Sequence, residues 1–309
     1  MKKCSPYSLG ATLYMPATRT DILDVVMRRK LTDLRSLVVC LEDSVTESHV
    51  ELAMRGLETL LADIDAHGGR PEYGPLLFVR PRNAAMAATI NDWPLIRHVD
   101  GFVIPKRRLG TAARWASSVD NPDLLVMPTL ETAEAFHPGT AIELGEALKA
   151  GFDERILALR IGANDLLGCL GLRRHPAVTL YDTPMSYVIP MLCGVMGAQG
   201  FALTAPVFEQ IAAPDLLEKE LALDISHGLV GKTAIHPAQI KPINDAFRVS
   251  ANDLDCARMI VEEGAPAVFK FDDAMCEPAT HYRWASNIID RAKWFGIREG
   301  ADAPAAVPA

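Results

Sequence analysis

The chain lacks paired cysteine motifs and a surplus of positive charge. Its six cysteines form no CxxC pair and have no close histidine partner, which is poor spacing for a zinc site. Several lie in apolar runs, where a cysteine is most often a small buried hydrophobe, so we expect reduced thiols in a cytoplasmic protein. The formal net charge of −8 at pH 7 leaves no basic surplus for non-specific binding to nucleic acid.

Long apolar runs and nucleotide-binding glycine motifs are missing as well. No run reaches the roughly 18–20 apolar residues of a membrane-spanning helix, and the N-terminal residues lack the continuous apolar segment of a signal peptide. We therefore expect no membrane partner. No GxGxxG follows the first apolar segment and no GxxxxGKS/T occurs, which argues against an open sheet that binds nucleotides.

Short apolar segments are abundant, and helix-like segments separate them. Their near-continuous apolar character is typical of parallel strands that are covered on both faces. The eight candidate strands span residues 11–16, 36–43, 76–81, 101–106, 123–131, 155–162, 201–207 and 231–237. Strands alternating with helices in this way predict an α/β protein with a (β/α)8 TIM barrel. A doubly wound open sheet is the alternative, because periodicity alone does not separate the two folds.

The segments between the strands have recognisable helix signals. Thr20 is a candidate cap for a helix over 21–31, and the segment 213–228 begins near a proline and ends with a glycine. Three more helix-like segments follow the last strand. We therefore expect a barrel domain over residues 1–250, a C-terminal helical extension over 251–298, and a loose, disordered tail over 299–309.

Polar residues follow most of the predicted strands. In a barrel, the residues at the C-terminal ends of the strands line the active-site face, so these side chains should converge on one mouth. In chain order they are Arg19, Glu42, Asp43, Arg80, Lys106, Glu131, Asp165 and His236. We also expect Gly162 to allow a sharp exit from its strand that turns Asp165 inward. Arg173 and Arg174 are predicted to form a solvated helix end.

Two carboxylates from separate strands, Glu131 and Asp165, describe a magnesium site. Mg²⁺ prefers an octahedron of oxygen ligands and completes it with waters or ligand oxygens, such as those of an α-keto acid. Arg80 would hold a substrate carboxylate in a bidentate fork, or stabilise negative charge as it develops. Acid pair, arginine and metal together suit carbon–carbon bond cleavage that generates an enolate.

Several blocks of the chain resemble, in order, those of the citrate lyase β-subunit-like proteins, which belong to the HpcH/HpaI aldolases and CoA-ester lyases. The resemblance covers roughly residues 11–250 and rests on ordered motifs at strand ends. The blocks are LYMPATR, CLEDSV, FVRPRN, GFVIPK, TLETAEAF, RIGANDLLGCLG and GKTAIHPAQIKPINDAF.

The resemblance implies an oligomeric TIM barrel, here a homo-oligomer, that binds Mg²⁺ through Glu131 and Asp165. It implies that Arg80 contacts the keto acid and the enolate, while Glu42 and Asp43 organise metal waters and the arginine. These three are our candidate catalytic residues. The resemblance also suggests His236, near the entry of the thioester arm, and Arg19 and Lys106 as substrate-binding residues.

The chain departs from the family pattern at two places, where YMPA replaces FVPG and LEDSVTESH replaces LEDAVP with a later lysine. Both lie where relatives handle CoA or substrate. Structural roles are also open: Arg80 in an ion network, Glu42 and Asp43 as helix caps, His236 as a residue that fixes its loop, and Lys106 as an anion-attracting residue at the rim.

The expected activity is Mg²⁺-dependent cleavage of a 3-hydroxyacyl-CoA, of citryl-, malyl- or citramalyl-CoA type, to acetyl-CoA and an α-keto acid. An aldolase acting on free hydroxy-keto acids without CoA is a second hypothesis. A non-catalytic barrel with an assembly role is a third. The general acid and base are not assigned from the sequence.

Overall fold

A computed structural model describes residues 4–106 and 109–298. The chain divides into two compact units, the first ending at Ile243 and the second beginning at Asn244. The tail predicted for residues 299–309 lies outside the described residues. Within the described ranges, no helix is long and apolar enough to cross a membrane.

Eight parallel strands form the first unit and close into a barrel. The strands β1–β8 are Ala11–Pro16, Ser36–Cys40, Leu76–Arg80, Gly101–Ile104, Leu125–Leu130, Leu159–Ile161, Leu203–Thr204 and Lys232–Ala234. Each strand pairs with the next in chain order, and β1 pairs with β8. A parallel bridge joins Ala205 to Lys232, where the Ala205 amide donates to the Gly231 carbonyl at 2.7 Å. The barrel prediction is confirmed, and the open sheet is wrong.

Helices connect the strands, as parallel pairing requires. They are α1 Ile22–Val26, α2 Val50–Ala66, α3 Ala84–Asn91, α4 Ala112–Ser118, α5 Pro138–Phe152, α6 Ala163–Cys169, α7 Met185–Ala198, α8 Pro214–Ser226 and α9 Ile240–Ala246. The helix predicted over 21–31 is wrong in length and cap: it has five residues, and its N-cap is Asp21. It stops because Arg28 and Leu31 have φ values of 56° and 53°, outside the helical region.

The barrel is held by apolar packing on both faces of its strands. Inside it, Val38, Phe78 and Met127 belong to one buried cluster. Outside it, α2 buries Leu57 and Leu61, which are separated by one helical turn. Full burial of a leucine side chain stabilises the fold by about 1.5–3 kcal/mol. Apolar residues therefore hold the strands in the barrel, and the polar residues lie at the C-terminal ends of the strands, which we call the strand exits.

The second unit contains helices and one short hairpin. Its elements are α10 Ala251–Val261, β9 Phe269–Phe271, β10 Ala274–Cys276 and α11 Pro278–Phe295. Leu254, Ala257, Ala285 and Ile288 lie in its buried core. The helical extension is confirmed, whereas the hairpin was not predicted. Its turn holds Asp272 at a φ of 50°, and an Asp–Asp pair is a weaker hairpin signal than Asn–Gly or Asp–Gly.

Candidate active site

Arg80, the last residue of β3, joins three carboxylates at the mouth of the barrel. Its Nη2 lies 2.9 Å from Glu42 Oε2, 3.3 Å from Asp43 Oδ2 and 3.2 Å from Glu131 Oε1. Burial opposes the charged form of Arg80, but Glu131, Tyr14 and Glu42 outweigh burial and raise its pKa. The guanidinium is therefore permanently charged and held by carboxylates from two strand exits, those of β2 and β5.

Lys106 binds the same carboxylates from the exit of β4. Its Nζ lies 2.7 Å from Glu42 Oε1 and 3.2 Å from Asp43 Oδ1. The hydrogen bond to Glu42 raises the pKa of Lys106, although burial lowers it. Its backbone has a φ of 46°, in the left-handed region, and its amide donates to Glu131 Oε1 at 2.5 Å. Side chain and backbone of Lys106 thus contact different carboxylates.

Glu42 and Asp43 face these two cations. The Asp43 amide also donates to Glu42 Oε2 at 3.0 Å, which orients the Glu42 carboxylate. Burial and the hydrogen bond with Asp43 raise the pKa of Glu42. Burial acts in the same direction on Asp43, but Glu42, Arg80 and Lys106 together lower its pKa. Both side chains therefore take part in the polar network at the mouth.

Glu131 follows β5 and is almost completely buried. Burial raises its pKa to about 7, although Arg80 and the Lys106 amide lower it. Gly162 provides the room for this carboxylate, because a Cβ at position 162 would lie 2.5 Å from Glu131 Oε2. The expected reason for this glycine is wrong: its φ of −95° is open to other residues. Close approach to Glu131, and not a sharp exit, requires glycine.

Asp165 lies in the first turn of α6 and is half-buried. Burial and the charge of Asp43 raise its pKa, whereas Lys106 and Arg80 lower it. Asp165 in turn raises the pKa of Glu131. The structure therefore places Asp165 within electrostatic reach of the residues around Arg80.

The chemistry of this donor set fits a hard divalent cation. Four carboxylates (Glu42, Asp43, Glu131, Asp165) lie around two cations, so acidic groups outnumber basic ones. Among the described residues, no three His, Cys, Asp or Glu side chains are arranged to hold a metal ion together. A cation at this site would therefore take at most two ligands from these side chains. Mg²⁺ is commonly held by one or two carboxylates and completes its shell with waters or substrate oxygens. Glu131 and Asp165 would supply such a pair.

A cavity of about 460 Å³ opens beside the exits of β1 and β8. It is lined by Tyr14, Arg19, Lys30, Ile235 and Pro237, among others. Arg19 makes a bidentate pair with Asp21, with both N–O distances at 2.8 Å. Its guanidinium is about half exposed, and it lies outside the network around Arg80.

His236 lies on the surface and caps a short 3-10 helix, Pro237–Gln239. Its Nδ1 accepts from the Ala238 amide at 3.2 Å. Gln239 holds the same loop, because its Oε1 accepts from the Ile235 amide at 2.9 Å and its Nε2 donates to the Phe208 carbonyl at 2.7 Å. His236 therefore shapes the loop beside the cavity and is not part of the network around Arg80.

Glu209, which follows β7, is a residue that the sequence reasoning missed. Its Oε1 accepts from Asn164 Nδ2 at 3.1 Å, and its Oε2 lies 3.6 Å from Arg174 Nε. Asn164 is the neighbour of Asp165 in the chain. Glu209 thus anchors the segment that carries Asp165. The sequence did not indicate Glu209, because it lies in the loop several residues after the two-residue strand β7.

A buried ionic cluster supports this side of the barrel. Lys232 Nζ lies 2.9 Å from Glu220 Oε1 and 2.7 Å from Asp224 Oδ2, and Arg174 Nη1 lies 2.7 Å from Glu220 Oε2. Tyr181 donates to Asp224 Oδ1 at 2.8 Å. The prediction that Arg174 ends a helix in solvent is wrong, because its side chain is 2% exposed. The spacing of Glu220 and Asp224 on one helix face was the available signal.

Comparisons with known proteins were made with the whole chain. A family model described as C-C bond lyase of the TIM-barrel fold matches residues 3–297. The solved structure of CitE from Mycobacterium tuberculosis, in complex with magnesium, acetoacetate and coenzyme A, is 21% identical. That match covers 93% of this chain and 99% of the other, with a TM-score of 0.66.

Two further solved structures have the same fold. A citrate lyase from Burkholderia xenovorans LB400 is 17% identical, covers 95% of this chain and 96% of its own, and has a TM-score of 0.72. A malate synthase from Haloferax volcanii is 17% identical, with coverages of 76% and 73% and a TM-score of 0.60. A comparison with curated proteins gives no match.

Proposed function

The chain belongs to the family of carbon–carbon bond lyases of the TIM-barrel fold. From this premise we propose that it cleaves a 3-hydroxyacyl-CoA of citryl-, malyl- or citramalyl-CoA type into acetyl-CoA and an α-keto acid. The observation that carries the proposal is the position of Arg80 among Glu42, Asp43 and Glu131. A fixed cation at this point is suited to an oxygen that becomes negatively charged.

Arg80 also has a donor to spare. Its Nε is buried and makes no hydrogen bond within the described part of the chain. A buried donor without a partner costs about 1–3 kcal/mol, and a carboxylate or enolate oxygen of the substrate would recover that cost. The three carboxylates on Nη2 hold the guanidinium in place and leave Nε as its donor without a protein partner.

We assign Mg²⁺ binding to Glu131 and Asp165. When bound, the ion would acidify the substrate hydroxyl and hold the keto-acid oxygens. The chain's own residues supply the rest: Glu42 and Asp43 hold Arg80 and Lys106, and Gly162 leaves the space that the Glu131 carboxylate occupies. Arg80 stabilises negative charge on the cleaved fragment from a buried position, whereas Asp43 and Lys106 lie half exposed at the open side of the site.

The cavity between the exits of β1 and β8 suits the thioester arm. Arg19 and Lys30 give it two cationic side chains that share the carboxylate of Asp21, and Ile235 and Pro237 give it an apolar wall. A CoA arm combines anionic phosphates with a long flexible chain, and these walls match both parts. The solved CitE from Mycobacterium tuberculosis contains coenzyme A, which supports a thioester substrate over a free hydroxy-keto acid.

The test is a cleavage assay with the purified protein and Mg²⁺. We expect turnover of at least one of citramalyl-, malyl- and citryl-CoA, and loss of that turnover in R80M. R82M is the matched control: Arg82 lies two residues away and bonds to the Val45 carbonyl instead of the mouth carboxylates. Cleavage of only free 4-hydroxy-2-keto acids would instead establish the aldolase.

Absence of turnover on every compound, together with no calorimetric Mg²⁺ binding, would contradict the proposal and favour a non-catalytic barrel. The predicted homo-oligomer is tested separately, by sedimentation of the wild-type chain. A monomeric sedimentation coefficient at working concentrations would remove that prediction without affecting the assay.

A further inference from the structure

Arg160 is a cation in the middle of the barrel with no carboxylate in contact. It lies on β6, is 2% exposed, and donates to Thr12 Oγ1 at 3.4 Å and to Thr233 Oγ1. None of the ion pairs among the described residues includes Arg160. Burying an unpaired charge is expensive, and proteins usually pair such a group. Thr12 and Thr233 hold the guanidinium without neutralising it.

Tyr14 lies directly beside this cation. The Cζ of Arg160 is 5.3 Å from the centroid of the Tyr14 ring, within the range of a cation–π contact. Tyr14 is on β1, two residues after Thr12, and alternation along the strand therefore directs both side chains to the interior. Its ring packs on the apolar cluster inside the barrel, and it lines the 460 Å³ cavity. Tyr14 is therefore the residue that contacts the buried Arg160 and also belongs to the lining of the cavity.

Tyr14 also interacts with the residues around Arg80. Each affects the ionisation of the other, and Tyr14 interacts with Glu131 as well. Tyr14 therefore lines the cavity where the thioester arm is proposed to bind, and it is within electrostatic reach of Arg80, where negative charge is proposed to develop. The proposed cleavage would form a thioester enolate where these two regions meet.

We propose that Tyr14 is the catalytic proton donor to the carbon of the thioester enolate, and that Arg160 is a positioning residue that holds the Tyr14 phenolate. This inference rests on the proposed function, which leaves an enolate to be protonated. Nothing in the sequence motifs assigns the acid, and the hydroxyl of Tyr14 stands where the related motif FVPG has a phenylalanine.

The step balances with water as the only other reactant. The enolate carbon forms a C–H bond with the phenolic proton, the Tyr14 O–H bond breaks, and its electron pair remains on oxygen. Acetyl-CoA leaves with a methyl group. The phenolate then takes a proton from a water molecule, and the hydroxide left behind takes the proton that the substrate hydroxyl released in the cleavage step, so no net proton or charge is left over. Arg160, whose charge is otherwise unpaired, offsets the negative charge on Tyr14 while that charge exists.

The electrostatic surroundings of Tyr14 support the role of an acid. Burial raises the pKa of the phenol, so it carries its proton near neutral pH. Arg160 from β6 and Arg80 from β3 lower the pKa, whereas Cys40 from β2 and Glu131 from β5 raise it. Removal of Arg160 should therefore make the phenol a weaker acid without removing its hydroxyl.

The first experiment measures this coupling without turnover. The chain has six tyrosines, so ultraviolet absorbance of tyrosinate in a pH titration, taken as wild type minus Y14F, isolates the ionisation of Tyr14. We expect the transition to move to higher pH in R160M and to remain near its wild-type position in R160K. Y73F changes an exposed tyrosine and is the matched control. A Tyr14 transition that is the same in R160M and in the wild type would overturn the role of Arg160.

The second experiment measures catalysis with the CoA thioester that the wild type cleaves. In Y14F we expect kcat to fall by about 10²–10⁴-fold with KM changed only a few-fold, because the hydroxyl acts on the enolate and not on binding. Deuterium incorporation into the acetyl-CoA methyl group in D₂O, with Mg²⁺ present, should fall in parallel. Y73F should match the wild type, and R160K should recover more activity than R160M.

The outcomes separate this inference from the proposed function. Wild-type kcat in Y14F, with the wild type active, would overturn the proton-donor role of Tyr14 alone. An inactive wild-type enzyme on every CoA thioester would overturn both. If Y14F unfolds at a lower urea concentration, its kcat is measured at a temperature where circular dichroism shows it folded, so that stability and proton donation are read separately.

Discussion

Gly162 lies directly against Glu131, and a Cβ at position 162 would be 2.5 Å from both the Cβ and the Oε2 of that glutamate. The Gly162 amide also donates to the Leu130 carbonyl at 3.1 Å, so the backbone cannot move away without losing that bond. The position of the Glu131 carboxylate, which is proposed to bind metal, therefore depends on the absence of a Cβ at Gly162, after the neighbouring strand β6.

Gly162→Ala should displace the Glu131 carboxylate. Overpacking of a buried site costs about 1–3 kcal/mol, so we expect a lower free energy of unfolding in urea and weaker Mg²⁺ binding by calorimetry. Gly168→Ala is the matched control, because a Cβ at 168 meets nothing within 4 Å and alanine favours a helix. Equal stability and equal Mg²⁺ affinity in G162A and the wild type would contradict this reading of Gly162.

Arg80→Met should destabilise the protein as well as abolish activity. It leaves Glu42 and Glu131 buried beside one another without their shared cation. Breaking a buried ion pair costs about 3–5 kcal/mol, which urea unfolding at pH 7 would measure. R82M removes an arginine of the same strand exit and should cost less, since Glu47, its ion-pair partner, is 91% exposed. A smaller loss in R80M than in R82M would be the contrary result.

Asp165→Asn should separate metal binding from folding. We expect Mg²⁺ affinity to fall at least about tenfold, or 1.4 kcal/mol, in a calorimetric titration. Without Mg²⁺ its free energy of unfolding should be unchanged or higher, because one of the excess negative charges is gone. Asp123→Asn, an exposed acid just before β5, is the control and should leave both quantities unchanged. Unaltered Mg²⁺ affinity in D165N would exclude Asp165 as a ligand.

Glu220 should make stability depend on acid pH. Burial would raise its pKa, but Lys232 and Arg174 outweigh burial and lower the pKa to about 2, from an ordinary value of 4.5. A carboxyl with a depressed folded-state pKa stabilises the protein above its unfolded pKa. This contribution is therefore complete above about pH 4.5 and is lost as the pH falls toward 2.

The measurement is urea unfolding at pH 7, 5 and 3 for wild type, E220Q and E218Q. The wild type should lose stability between pH 5 and pH 3, and E220Q should lose less because it has no carboxyl to protonate. Glu218 is exposed on the same helix, so E218Q should follow the wild type. The same acid-induced loss in E220Q and in the wild type would show that Glu220 does not cause it.

Much of the fold followed from local sequence patterns. The eight apolar segments became the eight strands, and Pro214 begins α8 as predicted. The family resemblance is confirmed by the family model. β1 has the predicted bounds, whereas the other seven strands were predicted one to five residues too long, because the segments continue beyond the strand ladder at one or both ends. The helix after β1 failed for a different reason: two residues there adopt positive φ values that no propensity scale anticipates.

The candidate site was predictable only in part. Residues at or directly after the C-terminal ends of strands, such as Arg80 and Glu131, could be listed because all parallel strands present these ends at one mouth. Glu209 could not, since it follows a strand of two residues. Arg174 and Glu220 are 46 positions apart, so no local pattern marks them as partners. Arg160 and Tyr14 were hidden within apolar strands.

The sequence by itself determined the order of strands and helices, the barrel class and the acids and arginine at the mouth. Those features depend on periodicity and on the direction of parallel strands, which are local properties. Only the tertiary structure decided that Glu131 needs the space beside Gly162, that Lys232 is neutralised by α8, and that Arg160 is not neutralised by any carboxylate of the described chain. Whether a buried charge has an ion-pair partner depends on side chains that the fold brings together across the barrel. Their separation along the chain does not indicate which of them will be in contact.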